Sequence, residues 1–358
     1  MGAPGRGRRT SRASTVLKAV GLGVGVAAAA GATAVAAERA ALERVRRRPD
    51  PDAERDLRLD PDEEAMVAGH DGARIHVVAR GRGPTLVLAH GLSLGVRAWV
   101  KQFADLPDRG YRVVAFDQRG HGHSTPGSDG LTVEALGRDV GRVLDALGVD
   151  GGVLVGHSMG GVGAMSYVTS RPAPARPRLR GLVLLSTIGR APGAALARSE
   201  WFRRAAARSP DVTRLLAPPG LGLLVTGVGF GPGAAPSHLE LTRSMITACP
   251  PATSRAGALA LVGIDLRRAL AGVDLPTLVV GGTADVMTPP GAARELAASI
   301  PGARLEMMEG GGHMLMLERA AAFNDMLDGF AREVGLRPGV EPEAGAAGAA
   351  GGRREAGR

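Results

Sequence analysis

Through the middle of the chain, short apolar runs alternate with longer amphipathic stretches. Runs of strand type fall at Ile75–Ala79, Thr85–Ala89, Arg112–Phe116, Val153–Gly156, Leu182–Ser186, Thr277–Gly281 and Arg304–Met308. Helix-like stretches lie between or beyond them, at Thr132–Leu147, Met159–Ser170, Ala292–Ser299 and Leu315–Val334. Strands that alternate with helices predict an α/β domain, a mostly parallel central sheet flanked by helices on both faces. Ligands of such sheets bind outside the carboxyl ends of the strands, so any chemistry is sought just after each run. The alternation lapses over residues 187–271, which hold Trp201, Phe202, Leu215, Leu216, Leu221–Val225 and Phe230 but no clear strand. That segment reads as a helical lid inserted between two strands, with the body formed by residues 66–186 and 272–335.

The two ends read differently. Residues 1–15 are basic, and from Val20 to Ala37 eighteen residues pass without a charge. Extended to 16–37, the run approaches the ~20 apolar residues of a membrane-spanning helix. Ala34-Val35-Ala36 would also suit the cleavage point of a signal peptide, and a buried Ala/Gly-rich helix is the third reading. The expectation adopted is an N-terminal membrane anchor at the cell membrane, with a secreted enzyme as the alternative if the segment is cleaved. Arginines flank both sides, so orientation stays open. Residues 38–65, charged and carrying prolines, read as a solvated linker. Residues 336–358, mostly Gly, Ala, Pro and charge without apolar periodicity, read as a disordered tail.

Charge changes the picture only at the N-terminus. The chain of 358 residues carries a net +9, but residues 1–48 alone hold ten Lys or Arg against Glu38 and Glu43. The rest is close to neutral, which argues against a nucleic-acid-binding body. Cys249 is the single cysteine, so neither an internal disulfide nor a cysteine metal cluster is available. Oligomeric state is not legible.

Two segments match G-x-S-x-G: Gly156-His157-Ser158-Met159-Gly160 and Gly91-Leu92-Ser93-Leu94-Gly95. Context separates them. Ser158 follows an apolar run and precedes a helix-like stretch, the strand–turn–helix setting that exposes a nucleophilic hydroxyl. Ser93 has no clear helix directly behind it. A serine needs an oriented base, and His313 follows the run Arg304–Met308 on a glycine loop. Asp285 follows Thr277–Val280 and is the candidate to orient His313. The acid's other common place, after Leu182–Ser186, offers Thr187, Ile188 and Gly189 and no carboxylate. Backbone amides of Met159 and Leu92 would hold a developing oxyanion. His157 adjoins the serine but is expected to point elsewhere in the turn.

With His90-Gly91, the loop Asp117-Gln118-Arg119-Gly120-His121-Gly122-His123-Ser124, the Ser158 turn, the Asp285 loop and His313, residues 66–335 resemble the α/β-hydrolase superfamily. The likeness extends to its serine esterase and lipase branch and to its cofactor-free haloperoxidases. Serine at 158 argues against epoxide hydrolases and dehalogenases, which use aspartate there. The resemblance implies hydrolysis of a small-molecule carboxylic ester through an acyl-enzyme, with medium-chain acyl groups expected from the apolar lid. It implies no metal and no cofactor. The alternatives are an acyltransferase or perhydrolase using the same three residues, and a non-catalytic ligand-binding protein. The 117–124 loop is expected to be structural.

Overall fold

The computed structural model describes residues 35–170, 178–191 and 218–338, together with 199–201, 204 and 216. Eight strands form one sheet: β1 (Glu63–Ala68), β2 (Arg74–Arg80), β3 (Thr85–Ala89), β4 (Arg112–Phe116), β5 (Gly152–His157), β6 (Leu179–Leu185), β7 (Thr277–Gly282) and β8 (Arg304–Met308). Their order across the sheet is β1-β2-β4-β3-β5-β6-β7-β8. The β1–β2 and β2–β4 pairs are antiparallel, and every other pair is parallel. All seven expected runs are strands. β1 is additional; only Val67 of its six residues is buried, so no apolar run announces it.

Alternation along the parallel strands divides the core in two. Leu86, Leu88, Val153 and Val155 face one layer with Trp99, Phe103, Phe323 and Phe330. Val87, Leu154, Leu184 and Val279 face the other, with Val143, Met165 and Leu296. Helices cover both. They are α1 (described over 35–46), α2 (Val100–Asp105), α3 (Val133–Ala146), α4 (Met159–Thr169), α5 (Pro219–Thr226), α6 (Pro236–Ala248), α7 (Pro251–Leu261), α8 (Arg267–Leu270), α9 (Pro290–Ala298), α10 (Leu315–Glu318) and α11 (Ala320–Glu333). Thr132 caps α3 by accepting the Ala135 N–H, a contact typically contributing about 1 kcal/mol. Proline stands in the first turn of α5, α6, α7 and α9, where its fixed φ suits the helix and its missing N–H is not needed. The expected helix Leu315–Val334 is broken between α10 and α11 at Arg319, whose backbone (φ −127°) is not helical.

Helices α5 to α8 lie between β6 and β7, in the expected insertion; residues 192–198, 202–203, 205–215 and 217 of that segment lie outside the described residues. Two expectations for the ends need correction. Residues 38–65 are not a solvated linker. Val45 is buried in the core, Leu42, Leu57 and Leu59 pack against it, and Asp52 is 2% exposed. Asp52 accepts from Lys101 Nζ on the body (2.6 Å) and bonds His238 Nε2 on α6 (2.8 Å). Asp50 accepts from the backbone N–H and the hydroxyl of Ser237, both at 2.7 Å. The segment thus clasps the insertion to the body. At the other end Leu336 is buried rather than part of a tail, while 339–358 fall outside the described residues. The membrane-anchor expectation finds no support: no helix among the described residues is long and apolar enough to cross a membrane. Residues 16–34 of that run lie outside them, and its visible end continues into the charged helix α1.

Candidate active site

The sheet reverses direction of growth at β3: β4 is added on one side of it and β5 on the other. The crevice at such a switch point is where open α/β sheets bind ligands, and the loops after β3 and β5 carry Leu92 and Ser158. Ser158 has φ 52° and ψ −118°, a backbone conformation that costs a non-glycine residue about 1–3 kcal/mol. Neighbours hold it there. Its N–H donates to Leu185 O at 3.0 Å, and its carbonyl accepts from the Thr187 hydroxyl at 2.7 Å. The flanking glycines are obligatory for close approach. A Cβ on Gly160 would stand 2.2 Å from Ala89 O, and one on Gly156 would stand 2.5 Å from Gly161 Cα.

His313 and Asp285 come together as expected, with Nδ1 and Oδ2 2.9 Å apart and both residues buried. Asp285 accepts three further hydrogen bonds, from the Met287 and Thr288 amides at 2.8 Å each and the Thr288 hydroxyl at 2.6 Å. Burial alone would raise its pKa; the histidine and the Thr288 donors outweigh that and hold the carboxyl below its usual range. Asp285 is therefore an anion, so His313 Nδ1 carries a proton toward it. Its Nε2 is the nitrogen free to act as a base.

Ser158 and His313 line one half-open cavity of about 150 Å³, with Met159, Val162, Thr187, Ile188, Leu261, Met287 and Thr288. Leu92 does not line it, but Leu92 and Met159 both reach Gly257 of α7. A Cβ on Gly257 would lie 2.3 Å from Leu92 Cδ1 and 3.3 Å from Met159 Sδ. Met159 is also the first residue of α4, where backbone N–H groups lack helical partners and attract negative charge.

Ser93, the other G-x-S-x-G serine, also has a positive φ of 60°. Its hydroxyl is engaged with Ser254 Oγ at 2.8 Å, and its N–H donates to His121 Nε2 at 3.1 Å. The 117–124 loop is pinned by its arginine. Buried Arg119 donates to both oxygens of Asp139, to Asp71 and to Gly130 O.

Two contributors escape sequence reasoning. His157 packs its ring 4.8 Å from that of His313, and Nε2 lies 3.0 Å from His313 O, so Nε2 is the protonated nitrogen. Its side chain thus points at the back of His313, and burial pushes its pKa well down. Glu318, on α10, accepts from the amides of Gly231 (2.7 Å), Gly312 (3.1 Å) and Met314 (3.0 Å). His313 N donates to Gly229 O at 2.9 Å. The His313 loop is therefore tied directly to the insertion.

The chain belongs to the α/β-hydrolase fold family, whose model matches residues 84–320. It is 33% identical to the polyketide synthase ThaQ of Burkholderia thailandensis over 275 residues, 73% of this chain and 12% of that one. It is 41% identical to the non-heme chloroperoxidase CPO-A1 of Kitasatospora aureofaciens over 118 residues, 33% of this chain and 42% of that protein. The chain thus spans less than half the length of either relative. Among solved structures, a thermophilic esterase from Thermogutta terrifontis superposes with a TM-score of 0.63 at 27% identity, covering 76% of this chain and 99% of that one.

Proposed function

We propose that the protein hydrolyses small carboxylic esters by an acyl-enzyme route, with Ser158 as nucleophile, His313 as base and Asp285 as its orienting acid. The observation that carries the reading is the Asp285–His313 hydrogen bond at the wall of the cavity that also exposes the strained turn at Ser158. His313 Nε2 takes the Ser158 proton as Oγ attacks the ester carbonyl. Amides of Met159 and Leu92 stabilise the oxyanion, and His313 returns the proton to the leaving alcohol. Water then attacks the acyl-enzyme in the same manner, and Asp285 stabilises the charged imidazole at each stage.

Cavity size refines the substrate. Space of about 150 Å³ with mostly apolar walls takes a ligand of roughly benzene's bulk, so acyl chains of about four to six carbons are favoured. The chloroperoxidase likeness favours a second reading, in which peroxide intercepts the same acyl-enzyme.

A panel of p-nitrophenyl esters from C2 to C8 tests both, with and without an alcohol or hydrogen peroxide. Catalytic efficiency is expected to rise to C4–C6 and then level or fall. Ser158→Ala should abolish turnover and fluorophosphonate labelling, while Ser93→Ala keeps both. Labelling that survives Ser158→Ala would move the nucleophile elsewhere; labelling without any turnover would favour a ligand-binding protein.

A further inference from the structure

At the sheet edge away from this cavity, three potential metal ligands converge. Glu64 lies on β1, His76 on β2, and His123 in the loop after β4. The β1–β2 register pairs Met66 with His76, so Glu64, two residues from Met66, shares the face of His76. One ligand atom from each of Glu64, His76 and His123 falls within 4.8 Å of the others. None of the three lines the Ser158 cavity.

The surroundings of His76 give the cluster its direction. Its Nδ1 lies 2.8 Å from Asp117 Oδ2, and both residues are buried. Asp117 Oδ2 also accepts the His123 N–H at 3.0 Å, and Oδ1 accepts the Val96 N–H at 2.8 Å. One buried carboxylate therefore fixes the tautomer of His76 and the backbone of His123. With its proton on Nδ1, His76 turns the lone pair of Nε2 toward Glu64 Oε1, 2.9 Å away. Two lone pairs at that distance repel unless a cation lies between them. A proton would do it; with a second imidazole alongside, its ring centroid 4.9 Å from that of His76, a metal ion does it with one more ligand. A buried carboxylate that holds the far nitrogen of a ligating histidine is the outer-sphere arrangement metal sites use.

We infer that Glu64, His76 and His123 form a binding site for a zinc-class divalent cation, with water completing the coordination. Two imidazole nitrogens and one carboxylate oxygen suit zinc at bond lengths of about 2.0–2.2 Å. Such bonds place tetrahedral ligand atoms about 3.4 Å apart. The His76–Glu64 contact need open only slightly, and Glu64 and His123 are exposed enough to adjust while His76 stays fixed. The ion would clip the edge strand β1 to the β4 loop. The neighbouring group His70, Asp71 and Asp129 is a poorer candidate. Arg119 already pairs with Asp71, and Arg138 donates to both His70 Nε2 and Asp129.

The test uses the full chain, stripped with a chelator and titrated with zinc sulfate by calorimetry and by thermal shift. One equivalent is expected to bind at micromolar or tighter Kd and to raise Tm. His123→Ala and Glu64→Gln change exposed side chains and are expected to fold. Each should weaken binding at least tenfold and remove the rise in Tm, with ester hydrolysis unchanged. Asp129→Asn should bind zinc as the parent does. Zinc affinity unaltered in His123→Ala, or no saturable binding to the parent, would overturn the proposal and leave His76 a protonated bridge between two carboxylates.

Discussion

His157 Nε2 donates to the carbonyl oxygen of His313 across 3.0 Å, and the two rings pack 4.8 Å apart. The residue that precedes the proposed nucleophile therefore holds the loop of the proposed base. The contact reaches from β5 to the turn after β8 and sets the two partners in one frame. His157→Ala is expected to lower kcat roughly tenfold to a hundredfold, since a small misplacement of reacting groups has that effect. His157→Gln can donate to the same carbonyl and should recover part of the loss. Steady-state kinetics on both variants, with KM nearly unchanged, checks it.

Glu318 performs a related task with charge. Each carboxylate oxygen faces backbone donors, from Gly231 and Gly312 on one side and Met314 on the other. Glu318→Gln replaces one oxygen by an NH2 group, so at least one buried amide meets a donor. The expected penalty is about 1–3 kcal/mol in stability, with a fall in kcat because the His313 loop loses its tie to the insertion. Urea unfolding and kinetics together check this; a normal kcat in a destabilised Glu318→Gln protein would make the residue purely structural.

Three buried histidines predict how stability depends on pH. His90 donates from Nδ1 to Gly91 O and accepts the Gln118 N–H at Nε2. His121 donates from Nδ1 to Arg119 O and accepts the Ser93 N–H. Each is fixed as the neutral form, because a second proton would face an N–H donor. Burial lowers the pKa of His90, despite the nearby Asp117, and that of His157; it lowers His121 to about 4. Below about pH 6.5 the unfolded chain takes up protons that these rings refuse in the fold. Their contribution to stability is therefore complete above that pH and declines on acidification toward pH 4, by up to about 1.4 kcal/mol per pH unit from each ring, while His76, whose pKa Asp117 and Glu64 raise, acts in the opposite sense. Tm measured from pH 7.5 to 4 should bend downward near 6.5, well above the range where carboxylates protonate.

Asp52 carries the clasp. Its side chain is almost wholly buried between Lys101 and His238, and those partners hold its pKa down against the effect of burial. Asp52→Ala leaves a half-buried ammonium without its anion, a change that typically costs about 3–5 kcal/mol. Removing residues 1–48 takes away Val45 and the Arg48 contact to Ala234 O, so that truncated chain should melt lower and be less active. Denaturant unfolding of both proteins is the measurement.

The interior of the fold was readable because its signals are local. Buried parallel strands are near-continuous apolar runs, and residues placed at strand ends follow from topology, as with Asp285 after β7. What escaped was long-range. β1 carries five exposed residues out of six and pairs only at its edge. The charges of residues 48–52 look solvated one by one, yet their partners stand on α6 and α2. Glu318 reads as an ordinary helical acid until Gly231 is brought beside it from the insertion. Periodicity reports which face of an element is buried, not which distant group meets it.

The clasp also bears on synthesis. Asp50 and Asp52 find Ser237 and His238 across 187 and 186 residues of chain. At about 5–20 residues per second, the N-terminal segment waits on the order of 10 to 40 s at the ribosome before its partners exist. During that interval Asp52 has Arg55 and Lys101 as partners but not His238, and Asp50 lacks Ser237. The segment that finally secures the insertion thus waits through the synthesis of most of the body, and a chaperone would find it there.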